Sequence, residues 1–406
     1  MDDYLFTALY KSLSFLVCNG IIVTVHVLLQ IINCTLGSSL TSLWQTIIGT
    51  VFLGITGMKA LWIGCVFLLL SLSVHTNEYT VRSLNKENKL VIITLDGFRW
   101  QEVFNGADSS IINNPDYNAD VANTKALYWS QTKEERRKKL MPFFWNILSQ
   151  QGEIYGNRQY DNKMNVANPY ALSYPGYNEL FTGNVDLTLF NNSKAVNPNL
   201  SILELLNESE TYKNKVAAFT SWDAFPFILN EEKSTVFINS GFENITGQNL
   251  TSSEALVNTI QSEIEDMKNT RYDELTYIAC KEYIQKRRPA ILFLGFGGTD
   301  ETAHQKKYDQ YLQQASNADR MIGDLWQYLQ SLPEYAGKTT FLITTDHGRG
   351  NSSANWHTHG MLVNGSSQTW MGVLGRSVLP HGEKKNKQQR YQKDLREFML
   401  QILSHP

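Results

Sequence analysis

Charge is almost absent from the beginning of this 406-residue chain: residues 1 to 75 carry only Asp2, Asp3, Lys11 and Lys59, with none between Ser12 and Met58. At about 20 residues per crossing, apolar stretches near Leu13 to Ile32 and Leu43 to Ile55 are long enough for membrane spans. A second reading fits the same residues. Met58-Lys59, the apolar run Ala60 to Val74 and the polar segment His75 to Asn88 have the layout of a secretory signal peptide, which makes 1–57 an upstream translation and 58–76 a signal or anchor. Both readings place residues 77–406 outside the cytoplasm: periplasmic, secreted or membrane-anchored.

Cysteine is equally scarce. Cys18, Cys34 and Cys65 lie in the apolar start and only Cys280 follows, so a disulfide framework within 77–406 is excluded and Cys280 is expected as a buried apolar filler. Neither sign of charge dominates: 36 basic against 39 acidic side chains leave a net charge of -3, so no nucleic-acid partner is expected. No internal repeat is found, and 42% hydrophobic content excludes a disordered chain. Seven sequons, at Asn191, Asn199, Asn207, Asn244, Asn249, Asn351 and Asn364, mark surface loops in a glycosylating host.

From about Lys89, short β-branched runs alternate with longer amphipathic ones. Strands are expected at Leu90–Leu95, Val216–Thr220, Ala290–Gly295, Thr339–Thr344 and Thr369–Leu374, and helices at Met141–Gln151, Leu200–Leu206, Ser253–Met267, Tyr308–Leu332 and Gln388–Leu403. Runs such as VIITL and AILFLG suit strands buried on both faces. The order predicts an α/β fold: a doubly wound, largely parallel sheet sandwiched by helices, with a small lid within the Asn- and Ser-rich region 186–270.

Ligands of such sheets bind beyond the carboxyl ends of the strands. There the chain places Asp96-Gly97-Phe98-Arg99, Gly297-Gly298-Thr299-Asp300 with His304, Asp346-His347-Gly348, and His357-Thr358-His359-Gly360. Asp and His are ligands for zinc and similar divalent ions, and a helical turn would aim Asp300 and His304 at one point. Counting Asp96, Asp346, His347 and His359 gives six candidates, about right for two ions clamping the attacking and leaving oxygens of a phosphoryl displacement. Ser173 lies in a turn before an expected helix, Tyr177 to Phe181, where metal coordination would favour its alkoxide and the helix N-terminus would favour phosphate.

LDGFR (95–99), SYPGYNELFTG (173–183), DETAH (300–304), TDHG (345–348) and HG (359–360) resemble, in order, the motifs of the alkaline phosphatase superfamily, most closely its type I phosphodiesterase/nucleotide pyrophosphatase branch, over about Leu90 to Leu403. The resemblance implies a small phosphate ester substrate, mono- or diester, and two zinc ions. Asp96, Ser173, Asp346 and His347 would hold one, and Asp300, His304 and His359 the other. It further implies a covalent phospho-serine at Ser173. That branch commonly has Thr-Phe-Pro-Asn where this chain has Ser173-Tyr174-Pro175-Gly176, which leaves substrate preference open; the phosphate-holding Asn is then one of Asn184, Asn197 and Asn199. Tyr177 stands where the sulfatase maturation signal needs Arg. With 126 residues between Ser173 and Asp300, the large inserted domain of the cofactor-independent phosphoglycerate mutases does not fit. A membrane-tethered phosphoethanolamine-type transferase and an inactive binding module on the same fold are the alternatives.

Blander roles stand beside these. Singly, Asp96-Gly97 reads as a turn, Asp300 and His304 as a helix cap and a solvated His, and Ser173 as a cap; only the combination points to metal. His357 is the alternative to His359 as ligand. Arg99 is open between a phosphate contact and an ion pair. Phe143, Phe144 and Trp145 read as core, and Trp222, Phe225 and Phe227 as core or lid with an aryl-stacking alternative. Lys133 to Lys139 and Glu383 to Arg390 read as solvated helical faces.

Overall fold

The computed structural model describes residues 84–264 and 269–405. The apolar start with Cys18, Cys34 and Cys65, and the boundaries at 57 and 76, lie outside the described residues. Among the described residues no helix is long and apolar enough to cross a membrane.

The main sheet is built around β1 (Lys89–Leu95), and its sequence explains why. Val91, Ile93 and Leu95 point to one apolar core, Leu90 and Ile92 to another, so both faces are covered. Full burial of each such side chain contributes about 1.5–3 kcal/mol. The other strands are β2 (Gly152–Tyr155), β4 (Val216–Thr220), β5 (Phe237–Ser240), β6 (Ile291–Phe296), β7 (Thr339–Thr344), β9 (Met371–Gly375) and β10 (Gly382–Glu383), in the spatial order β10-β2-β9-β7-β1-β6-β4-β5. The central run β7-β1-β6-β4-β5 is parallel, and β9 pairs antiparallel with both β7 and β2. A second sheet joins β3 (Asn162–Asn165) to β8 (Gln368–Thr369) and β11 (Gln388–Tyr391).

Helices cover both faces. Those used below are α1 (Lys133–Leu140), α2 (Ser173–Thr182), α3 (Ile202–Glu208), α4 (Ser252–Glu263), α5 (Asp273–Arg287), α6 (Gly298–His304), α7 (Tyr308–Gln330) and α8 (Leu395–Ser404). In α7 the buried positions 308, 311, 312, 315, 318, 322, 325 and 329 recur at helical spacing and pack under one face. Helix α4 starts on a capping box, Thr251 with Glu254.

The doubly wound α/β sandwich is as the sequence predicts, and β4 and β7 have the expected bounds. Several elements differ. Gln388–Leu403 is not one helix: Gln388–Tyr391 joins β3 through ladder hydrogen bonds, and the helix begins only at Leu395. Glu383 to Arg390 is accordingly no helix: Glu383 ends β10 and pairs with Arg137 at 3.3 Å, 384–387 form a connection, and Gln388 to Arg390 lie in β11. Met141–Gln151 is broken by a wide π-helical turn at Phe144–Leu148, where the buried Asp319 carboxylate accepts from the amides of Phe143 and Phe144. The sequon Asn207 sits buried in α3, closed to glycosylation. Cys280 is fully buried and unpaired, as expected. Within 186–270, β4 and β5 belong to the main sheet, while 186–200 holds no helix or strand.

Candidate metal centre

Because β7, β1, β6 and β4 run parallel side by side, their carboxyl ends meet at one sheet edge, and the motif residues follow directly. Asp96 leaves β1, Asp346 and His347 leave β7, and Gly297 leaves β6 into α6. Ser173 is the first residue of α2, which begins four residues earlier than expected.

Around His347 the geometry is tight. Its Nε2 lies 3.2 Å from Ser173 Oγ, 3.4 Å from Asp346 Oδ2 and 3.6 Å from Asp96 Oδ1. A tetrahedral ion with bonds of about 2.0–2.1 Å has ligand-to-ligand edges of about 3.3 Å, so these spacings are those of a ligand shell. Asp96 Oδ1 and Asp346 Oδ2 are buried without a hydrogen-bond partner, which a cation would remedy. Their companion oxygens are fixed: Tyr177 Oη donates to Asp96 Oδ2 at 3.1 Å, and Gly97 N to Asp346 Oδ1 at 3.0 Å. Burial first, and for Asp96 the neighbouring Asp346 carboxylate second, pushes both carboxyls up to about 7.

The second group stands beside it. His304 Nε2 lies 3.2 Å from Asp300 Oδ2 and 3.1 Å from His359 Nε2, which is 3.8 Å from Asp300 Oδ1. Helix α6 puts Asp300 and His304 one turn apart, as the spacing predicts. His359 stacks on His347 with ring centres 3.9 Å apart, and its Nδ1 meets Ala171 O at 3.1 Å. Burial pushes the imidazoles of His304, His347 and His359 down, toward the neutral form that binds metal. Asp96, Asp346 and His347 thus cluster as one donor group and Asp300, His347 and His359 as another, with His304 beside the second, a donor set that fits divalent metal ions.

His357 stays outside both groups and packs against Tyr117 and Trp356. Arg99 is a buried partner of Glu102, with Nε donating to Oε2 at 2.8 Å, and is not free for phosphate. Phe143, Phe144, Trp145 and Phe225 are core. Asn197 is spent on Ile228 O and Asn178, Asn199 on Asp186, and Asn184 gives its backbone carbonyl to Asn178. Asn192 instead lines the cavity above Ser173, a space of about 280 Å³ shared with Lys194, Trp222 and Glu301. Its Oδ1 accepts from Tyr174 N at 2.9 Å, leaving the amide nitrogen to donate. The motif Asn191-Asn192-Ser193 reads as a sequon, which hides that role in the sequence.

Two further residues escape the sequence reading. Asp273 accepts from Gly297 N, Gly298 N and Ser221 Oγ at 2.6–3.0 Å, holding the β6–α6 turn. Arg349 follows TDHG directly and is buried against Asp300; a cation between two glycines of a site motif is the only signal for it.

A family model described as the Metalloenzyme superfamily matches residues 82–362. No curated protein matches the chain. Among solved structures, wild-type alkaline phosphatase PafA is similar with a TM-score of 0.51 at 10% identity, covering 78% of this chain and 95% of that one. The lipoteichoic acid synthase LtaP from Listeria monocytogenes is similar with a TM-score of 0.50 at 11% identity, covering 80% and 77%. At such identities the likeness is one of fold.

Proposed function

Because the chain belongs to the metalloenzyme superfamily, whose members use divalent ions, we propose that it is a two-zinc phosphoesterase that hydrolyses phosphate mono- or diesters through Ser173. One observation carries this reading: Ser173 Oγ lies on the same imidazole nitrogen as two buried, unpartnered carboxylate oxygens, at the floor of a cavity. Asp96, Asp346, His347 and Ser173 would hold one ion, and Asp300, His304 and His359 the other. When bound, the pair supplies Lewis acidity at the ester oxygens and lowers the pKa of a coordinated hydroxyl.

Ser173 forms the new bond to phosphorus as the bond to the alcohol opposite breaks, and the alcohol leaves with a proton. Water then attacks the phospho-serine, releasing phosphate, or a phosphomonoester from a diester, and restoring the hydroxyl. Asn192 would offer an amide to the non-bridging oxygens, while Lys194 lines the same cavity with its ammonium paired to Asp223 at 2.7 Å. Tyr177, which hydrogen-bonds Asp96, occupies the position where the sulfatase maturation signal needs Arg, which favours phosphate over sulfate. The uncharged stretch Ser12 to Met58 and the run Ala60 to Val74 support a catalytic part outside the cytoplasm; cell fractionation that finds the activity in the cytosol removes that part of the reading.

The test is the full-length chain, wild type and Ser173→Ala, loaded with zinc and given p-nitrophenyl phosphate and bis-p-nitrophenyl phosphate. Cleavage of either, lost in the variant while metal is retained, is expected. Turnover that survives Ser173→Ala, or a wild-type chain without metal, overturns it. Ester cleavage only when a lipid alcohol is supplied as acceptor would select the transferase, and metal without any turnover the binding module.

A further inference from the structure

Arg349 takes no part in the chemistry above, yet its side chain is wholly buried beside it. Its guanidinium ties together three segments of the centre. Nε donates to Gly97 O at 3.1 Å, Nη1 to His357 O at 2.6 Å, and Nη2 pairs with Asp300 Oδ1. These are the turn after β1, the loop that carries His359, and helix α6. The fit is close: a Cβ on Gly97 would stand 2.8 Å from Arg349 Nε and 2.9 Å from Asp300 Oδ1.

From this geometry we propose that Arg349 is a positioning residue that sets Asp300 for the second cation site; the inference rests on the two-ion reading above. By occupying Oδ1, the guanidinium leaves Oδ2 as the oxygen offered beside His304 Nε2. It thereby fixes a one-oxygen contact and keeps the carboxylate from turning. Its bond to His357 O holds, two residues on, the backbone that presents His359. A planar cation with donors in three directions is needed, which a lysine cannot supply. Asp96 and Asp346 do not depend on it in this way: Tyr177 and Gly97 N hold them.

The experiment compares full-length wild type, Arg349→Gln and Arg349→Lys. Zinc per chain is measured after equilibration at fixed free zinc, and unfolding midpoints with zinc and with chelator. Wild type should hold about two zinc ions. Both variants should hold about one, the weaker dissociation constant rising about 10- to 100-fold as for other outer supports of metal ligands, and the midpoint gain from zinc should shrink. The proposal is overturned if the variants hold two ions with unchanged constants. It is also overturned if their midpoints fall equally with zinc and with chelator, which marks a purely structural arginine, or if neither variant folds. Wild type without zinc would count against the phosphoesterase reading; two ions in every chain would count against Arg349 alone.

Discussion

Gly97 sits at φ +58°, a backbone that side chains rarely adopt, with Arg349 and Asp300 closing on the space a Cβ would need. Gly97→Ala is therefore expected to cost about 1–3 kcal/mol of stability and to lose zinc as well, measured by chemical unfolding and metal content on one sample. Asn192 works differently. Its amide lines the cavity without touching a ligand group, so Asn192→Ala should lower kcat/KM by about 10- to 100-fold, one charge-assisted hydrogen bond's worth, with zinc unchanged; a fall in zinc would show a structural role instead. At this scale the sequence was most legible where chemistry is encoded by residue type: Asp96, Ser173, Asp300, His304, Asp346, His347 and His359 all converge. Asn192, Asp273 and Arg349 were not legible, because an amide, a carboxylate and a guanidinium acquire those roles only through contacts across 18 to 252 positions of chain.

Helix α7 shows how an element reaches beyond its own burial. Asp319, on its buried face, accepts from Phe143 N at 2.7 Å and Phe144 N at 2.9 Å, and burial pushes its carboxyl up to about 7. The folded chain then holds a proton that the unfolded chain has released between about pH 4 and 7, so this contribution to stability is greatest at the acid end and falls as pH rises, at most by about 1.4 kcal/mol per pH unit. Asp319→Asn removes the titration. With zinc concentration fixed, the midpoint advantage of wild type over Asp319→Asn should shrink from pH 5 to pH 8; an advantage that grows refutes the assignment. Strands β1, β4 and β7 were readable because apolar runs between turn residues have few other uses. The segment Gln388–Tyr391 was not, since its polar alternation fits a helix surface as well as a ladder, and only β3 decides. Helix α5 was missed because the polar Asp273 and Thr276 stand among its buried positions and blur the apolar pattern.

For the molecule as a whole, the centre gathers groups from position 96 to position 359 onto one edge of one sheet, so ion binding and folding are coupled. Chelation should lower the unfolding midpoint by several degrees, since each ion at 100-fold excess over its dissociation constant adds about 2.7 kcal/mol; a midpoint indifferent to chelator would deny that coupling. The fold class was legible from the alternation of runs after Lys89. The fate of the apolar start was not, because a signal, an anchor and a pair of spans share one composition.

Strands β7, β1 and β6, which lead into Asp346, Asp96 and the turn before Asp300, stand side by side although the ends of β1 and β7 lie some 250 positions apart in sequence. Neighbouring strands stand about 4.8 Å apart, close to the about 3.5–4 Å at which paired ions cooperate. The pleated ladder is thus a ruler. The segment 184–200, which brings Asn192 and Lys194 to the cavity, lies outside that ladder, so a change in its length would alter the ester group the proposed site accepts while leaving the spacing of the carboxylates unchanged.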